Sequence, residues 1–298
     1  MPVDWVRVTR LILNADDFGL TPRVNQSILD LHRRGALTSA TLMATAGHTG
    51  PAVASAAAHP SLGIGCHVIL VDGKPALPLG STPALTLPTG VFRPTLGVFV
   101  RDLMRGRIPE AEIENEAIAQ IRRLQALGVH VTHLDTHKHT HIFPRVLRPL
   151  LRAAASCAVP AIRNPFEPDW ALKATPRAPR LRSLQVRLLR TQRRQFLKLV
   201  QKSGMATTDG AIGVLATGTL DAESLQALLT AMPGGTWELV CHPGHFDEDL
   251  NKAQTRLRES RAIEHAALLE TVPPFLSNHP GITPIHFGKL AKILAPLQ

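Results

Sequence analysis

Apolar residues along the chain gather in short blocks, and these alternate with stretches whose apolar positions recur at helical spacing. The β-like blocks are residues 6–14, 37–44, 63–70, 129–137, 160–164, 211–215, 237–242 and 283–287. Helical spacing is clearest at 110–127, 144–155, 221–231 and 256–269. In the first of these helices acidic residues fill the opening turns and Arg122 and Arg123 lie near its end, which complements the helix dipole; Gly128 then supplies a stop. Alternation of this kind predicts a mostly parallel α/β sheet, doubly wound or closed into a barrel. Two stretches break the rhythm. Residues 72–109 are rich in Pro, Gly and Thr, and residues 166–209 carry a basic run. No internal repeat or low-complexity tract interrupts the rest, so 1–298 reads as a single domain with two excursions.

Composition narrows the class. With 44% hydrophobic residues, 4% aromatics and no tyrosine in 298 residues, an aliphatic core must be built from Leu, Val, Ile and Ala. Disorder, collagen-like structure and small disulfide scaffolds are excluded by these figures. Cys66, Cys157 and Cys241 are odd in number and widely spaced, giving neither a disulfide framework nor a CxxC metal knuckle. No apolar run is long enough for a membrane span and no secretory leader precedes the first block, so a soluble, cytoplasmic protein is expected. The formal charge of +10 is local: ten Lys and Arg residues and no acidic one fall within 173–202, and the remainder of the chain is neutral.

Candidate chemistry sits where the β-like blocks end, the place at which parallel α/β folds collect their active sites. The first block runs directly into Asp16 and Asp17, closed by Gly19. Neighbouring residues at a strand end diverge, so one carboxylate can bind a metal while the other handles protons; a lone Asp pair would otherwise be read as a helix cap. In the stretch from His133 to His141, polar groups fall on His133, Asp135, His137, His139 and His141, every second residue. An extended chain would put all five on one face, a poor core and an odd surface but a natural metal site, with Asp135 able to orient a ligand through its second nitrogen. His67 and His242 each end a further block. If they point into the site, Cys66 and Cys241 point away into packing. One Asp and two His would leave a divalent ion, magnesium or zinc, with open positions for water and substrate. A free Asp and a distant His complete a hydrolase of amides or esters. Glycoside hydrolysis is disfavoured, since it ordinarily needs two carboxylates flanking the bond and no metal.

At these residues the sequence resembles the YdjC-like (chitooligosaccharide) carbohydrate deacetylase family. The matching pieces are Asn14-Ala-Asp-Asp-Phe-Gly19, Gly35-Ala-Leu-Thr-Ser-Ala-Thr41, Gly65-Cys-His67 with Asp72-Gly-Lys-Pro75, Thr132-His-Leu-Asp-Thr-His137 with Phe143-Pro144, and Cys241-His-Pro243. The resemblance implies a distorted (β/α) TIM-like barrel and metal-dependent removal of N-acetyl groups from amino sugars. Carried over by motif position, Asp17, His67 and His137 would ligate the metal, Asp16 would be the general base and His242 the acid. His133, Asp135, His139 and His141 would then contact the ligands or the substrate. Ile162-Arg-Asn-Pro-Phe-Glu-Pro168, Gly218-Thr-Leu-Asp221, 236–244, and Thr255-Arg-Leu-Arg-Glu-Ser-Arg261 with Glu264 resemble the family's hopanoid-biosynthesis branch, which implies an N-acetylglucosaminyl group on a hopanoid lipid. The Ser-Arg-x-x-Glu run also has a plain reading as surface ion pairing on a helix.

The basic run bears on that idea. Leu181, Leu184, Leu188, Leu189, Phe196 and Leu199 roughly follow helical spacing with arginines between them. Such a helix suits an anionic membrane surface, or equally an outer helix packing its apolar face on the barrel. Nucleic acid is not an expected partner, for want of interleaved aromatics. The alternatives to a lipid-linked substrate are a soluble chitooligosaccharide, or a basic membrane or nucleic-acid adaptor without catalysis. A homodimer is compatible with everything above.

Overall fold

The computed structural model describes residues 8–176 and 180–294, without the side chains of Arg180 and Leu181. The start of the first strand candidate at 6–7 and Arg177 of the basic run therefore lie outside the described residues. Among these residues the strands are β1 (Thr9–Phe18), β2 (Ser39–Leu42), β3 (Gly63–Val68), β4 (Val131–Thr136), β5 (Gly210–Ile212), β6 (Thr236–Cys241) and β7 (Ile282–Pro284). They pair in parallel in the order β4-β3-β2-β1-β6-β5, with β7 joined to the start of β1. Around them lie α1 (Pro22–Arg33), α2 (Thr49–Ala56), α3 (Leu96–Met104), α4 (Glu110–Ala126), α5 (Pro144–Ser156), α6 (Asp169–Ala174), α7 (Arg180–Leu189), α8 (Arg193–Ser203), α9 (Ala222–Thr230), α10 (Glu248–Lys252), α11 (Ser260–Asn278) and α12 (Phe287–Leu294).

The sheet curls into a distorted (β/α) barrel. Past β4 it continues only through single bridges, Leu134 to Ile162 and Ala161 to Ala206, and the amide of Ala211 reaches the carbonyl of Phe166 at 3.3 Å. The expected strand at 160–164 is thus reduced to two bridges, because Pro160 and Pro165 remove the donors a longer ladder needs. β2, β3, β4, β5 and β7 are shorter than their apolar blocks, β6 matches its block in length, and β1 runs past its block to Phe18. Phe287, expected to end the last strand, instead opens α12. α11 runs on through Pro273 and Pro274 to Asn278, well beyond the expected end at 269.

Local chemistry fixes the ends of the elements. Thr21 accepts the amide of Val24 at 3.2 Å to cap α1, and Pro22 fills its first turn. Gly128, at φ 86°, takes the left-handed turn that ends α4. The 72–109 excursion is tied down by α4: Glu116 accepts the amides of Ala76 (2.6 Å) and Leu77 (3.2 Å), and Glu112 those of Ala84 and Leu85 (2.9 and 2.8 Å). In the 166–209 excursion, Trp170 of α6 meets Trp237 of β6 edge-on, ring centroids 5.1 Å apart. α8 buries Phe196 and Val200. No helix among the described residues is long and apolar enough to cross a membrane.

Candidate metal centre and active site

The carboxylate pair lies inside β1 rather than after it. The pairing of β1 with β2 shifts between Ala15 and Phe18, and Asp17 adopts φ 65°. An irregularity of this kind re-aims side chains, and it sends Asp16 and Asp17 to different partners. Asp17 Oδ1 lies 3.6 Å from both His67 Nε2 of β3 and His137 Nδ1, which follows β4. The two imidazole nitrogens are 3.4 Å apart. Three donor atoms at these mutual distances form the edges expected around a tetrahedral ion with bonds of ~2.0–2.1 Å, roughly 3.3–3.5 Å. The donor set, one carboxylate and two imidazoles, fits a divalent transition metal. A second cluster, Asp16, His67 and Asp135, is geometrically close, but a guanidinium already occupies its carboxylates.

That guanidinium is Arg163, fully buried beside the 160–164 bridges. It donates to both oxygens of Asp16 (2.9 and 2.6 Å) and to Glu238 (2.8 Å), and pairs with Asp135 at 2.5 Å. Burial alone would raise the Asp16 carboxyl, but Arg163, with His67 and His242, holds it well below the usual carboxylate range. Burial wins at Glu238, whose carboxyl is pushed up to about 8 despite Arg163.

Asp135 also accepts a hydrogen bond at 2.7 Å from Nδ1 of His67, orienting that ring with Nε2 toward Asp17. Burial tends to lower His67, but Asp135, Asp16 and Asp17 outweigh it and raise the imidazole to about 9. Asp17 is anchored on its other oxygen by Arg261 of α11 at 2.5 Å. Burial opposes ionisation of Asp17, but Arg261 and His137 overcome it and hold the carboxyl well below its usual value. His242, just past β6, places Nε2 3.7 Å from Asp16 Oδ2, and its backbone amide donates to Glu264 at 2.6 Å. Burial lowers His242 to about 4 and raises Glu264 to about 7.

The expected five-residue face from 133 to 141 does not form. β4 ends at Thr136, and a 3-10 turn spans His137–Ile142 with Lys138 and His139 left-handed at φ 57° and 52°. Once the chain leaves the extended conformation, alternate residues no longer share a side. His133 is fully buried lower in the barrel, stacked on Phe287 at 4.0 Å. It fills the space beside Gly65, where any Cβ would collide with it. His141 is buried and bonded through Nδ1 to Thr136 at 2.7 Å. His139 has a buried Nδ1 without a hydrogen-bond partner, and burial lowers its imidazole to about 3. Cys66 is buried in the apolar core, and Cys241 is buried with its thiol on the carbonyl of Asn14.

Four charged residues of the site were not singled out for it by the motifs: Arg163, Glu238, Arg261 and Glu264. The plain reading of Arg261 and Glu264 as a surface ion pair is corrected, since both are buried, at 0% and 1% exposed, and hold Asp17 and His242 respectively. Glu238 did carry a signal, as a lone acid within the apolar run Thr236–Cys241.

The model of the YdjC-like protein family matches residues 10–272. A carbohydrate deacetylase of Brevibacillus brevis is 41% identical over 157 residues, 53% of this chain and 60% of the relative. A carbohydrate deacetylase of Halalkalibacterium halodurans is 29% identical over 274 residues, 88% of this chain and 98% of the relative. A crystal structure from Enterococcus faecalis V583, named for cellobiose-phosphate cleavage, superposes with a TM-score of 0.76 at 28% identity, covering 95% of this chain and 98% of that one. With a family model spanning nearly all of the barrel and the site residues inside the match, the chain belongs to the YdjC-like protein family.

Proposed function

We propose that the protein is a metal-dependent hydrolase that removes the N-acetyl group from an N-acetylglucosaminyl substrate. The observation that carries this reading is the adjacency of two sets of groups: Asp17, His67 and His137 converge on one point, and Asp16 faces His242 beside them. The deacetylase names of the relatives support it. A divalent ion held by Asp17, His67 and His137 would lower the pKa of a bound water and polarise the acetamide carbonyl; two imidazoles and one carboxylate favour zinc over magnesium. Asp16, ionised and locked by Arg163, accepts the proton of the attacking water through Oδ2, its oxygen nearest His242. His242 Nε2 passes that proton to the amine as the C–N bond breaks. Asp135 and Glu264 keep His67 and His242 in register, and Arg163 holds Asp16 ionised without supplying a proton.

A lipid-linked sugar, of the hopanoid kind, fits the surroundings better than a chain of sugars. At the barrel's C-terminal end a cleft of about 620 Å³ is lined by Leu20, Met43, Ile69, Leu87 and Val91, together with the polar Asp72, Lys74, Lys252 and Gln254. Sugar subsites commonly offer an exposed aromatic face. Most of this cleft's wall is aliphatic, and its Phe92 is 1% exposed. An apolar aglycone gains by burial on such walls. A substrate of that kind is met at a membrane, at its cytoplasmic face.

Acetate release from an N-acetylglucosaminyl hopanoid and from N,N′-diacetylchitobiose, with metal-stripped and metal-restored protein, tests both levels. Turnover that needs metal and is lost in Asp16→Asn supports the hydrolase, and preference for the lipid supports the aglycone. Turnover of the chitobiose alone would discard the lipid. Silence on both with metal bound would overturn the acetamide chemistry and leave a binding protein.

A further inference from the structure

The basic run proves to be two helices with divided faces. α7 and α8 are joined by the turn Arg190–Gln192. On the inner side Phe196 and Val200 are buried against the barrel, and three arginines are spent on fixed partners. Arg182 donates to the carbonyl of Val214 at 2.8 Å, Arg190 pairs with Asp169, and Arg193 reaches the carbonyl of Asp209 at 3.4 Å. On the outer side Leu184, Arg187, Leu188, Thr191, Arg194 and Lys198 are all exposed. Their spacing of three and four residues makes one stripe along both helices. Leu184 and Leu188 are 65% and 69% exposed, one turn apart with Arg187 between them.

We propose that this stripe docks the protein on an anionic membrane surface, with Leu184 and Leu188 entering the headgroup layer and Arg187, Arg194 and Lys198 meeting the lipid charge. The argument is one of complementarity. The run 173–202 holds ten cations and no acid, and a helix that exposes leucines among arginines is the pattern of an interfacial helix. A polyanion such as nucleic acid would use the cations but gives two protruding leucines nothing to enter, and the stripe has no aromatic on which a base could stack. The leucines also lie at the useful end. Arg182, two residues before Leu184, bonds to Val214 just past β5, so the leucine end of the stripe stands at the rim of the barrel that carries Asp17 and His242. Docking there brings the mouth of the site toward the bilayer. The proposal stands whichever acetamide the site hydrolyses.

Flotation of the full chain with phosphatidylcholine vesicles, with and without phosphatidylglycerol, tests it. The protein should float with the anionic vesicles and remain behind with the neutral ones. Leu184→Asp with Leu188→Asp should abolish flotation. Reversing Arg187, Arg194 and Lys198 to Glu should lower partitioning at least about a hundredfold, since each cation near an anionic surface contributes roughly a fivefold factor. Deacetylation of the water-soluble methyl N-acetylglucosaminide and the thermal midpoint, both measured without vesicles, report separately on the site and on folding, and should be unchanged in either variant. Wild-type protein that ignores anionic vesicles, or leucine variants that float as the wild type does, would overturn the docking face. So would binding to DNA that outcompetes the vesicles.

Discussion

Arg261 and Asp17 are 244 residues apart in sequence, yet the guanidinium of one holds the carboxylate of the other at 2.5 Å. α11 therefore sets, from the opposite end of the chain, the direction of the Asp17 oxygen that faces His67 and His137. Arg261→Gln keeps a donor but loses the charge, and metal affinity should fall by about 10- to 100-fold. Titration calorimetry with zinc reads this directly, and activity should return at saturating metal. Unaltered affinity would mean that Asp17 needs no such hold.

Arg163 faces Asp16, Asp135 and Glu238 together. Arg163→Met would strand those carboxylates in the barrel interior, and unfolding by urea should show a loss of ~3–5 kcal/mol. A loss under ~1 kcal/mol would indicate that water reaches these groups.

Metal binding should compete with a proton. His67, raised to about 9 by Asp135, Asp16 and Asp17 against the pull of burial, is charged at neutral pH, and an ion must displace that proton. Affinity should therefore rise about tenfold per pH unit from neutrality and flatten near pH 9. A pH-independent affinity between 7 and 9 would contradict it.

Acid should destabilise the fold through its buried imidazoles. His139 falls from 6.5 to about 3, chiefly by burial. A histidine with a depressed folded pKa stays neutral in the native state while the unfolded chain takes up the proton. Its contribution is complete above pH 6.5 and is lost as pH falls from 6.5 toward 3. His139→Asn keeps a residue that tolerates φ 52° and should flatten that part of the stability curve. Equal slopes for both proteins would remove His139 as the cause.

The alternating pattern was enough to read a parallel barrel, since each buried strand writes an apolar block of its own. Asp16, Asp17, His67 and His242 are legible as candidates because polar residues within or just past an apolar block stand out against it. The shared face expected to reach His139 and His141 fails for a local reason: the two left-handed residues Lys138 and His139 turn the chain where periodicity assumes it stays extended. The plain reading of Arg261 and Glu264 as a surface pair, which stands beside the family-branch resemblance, fails because i, i+3 spacing on a helix looks the same whether the face meets solvent or another element. Only the packing of α11 tells the two apart.

The chain has no tyrosine and three tryptophans, and the Trp170–Trp237 contact gives that scarcity a use. One ring rides on α6, ahead of the basic helices, and the other is fixed in the barrel at β6. With Trp5 replaced by Phe, ultraviolet emission of the native protein thus reports the seating of this excursion against its wall, undiluted by tyrosine. A change in emission on mixing with vesicles, without global unfolding, would register movement of α6 with no label attached.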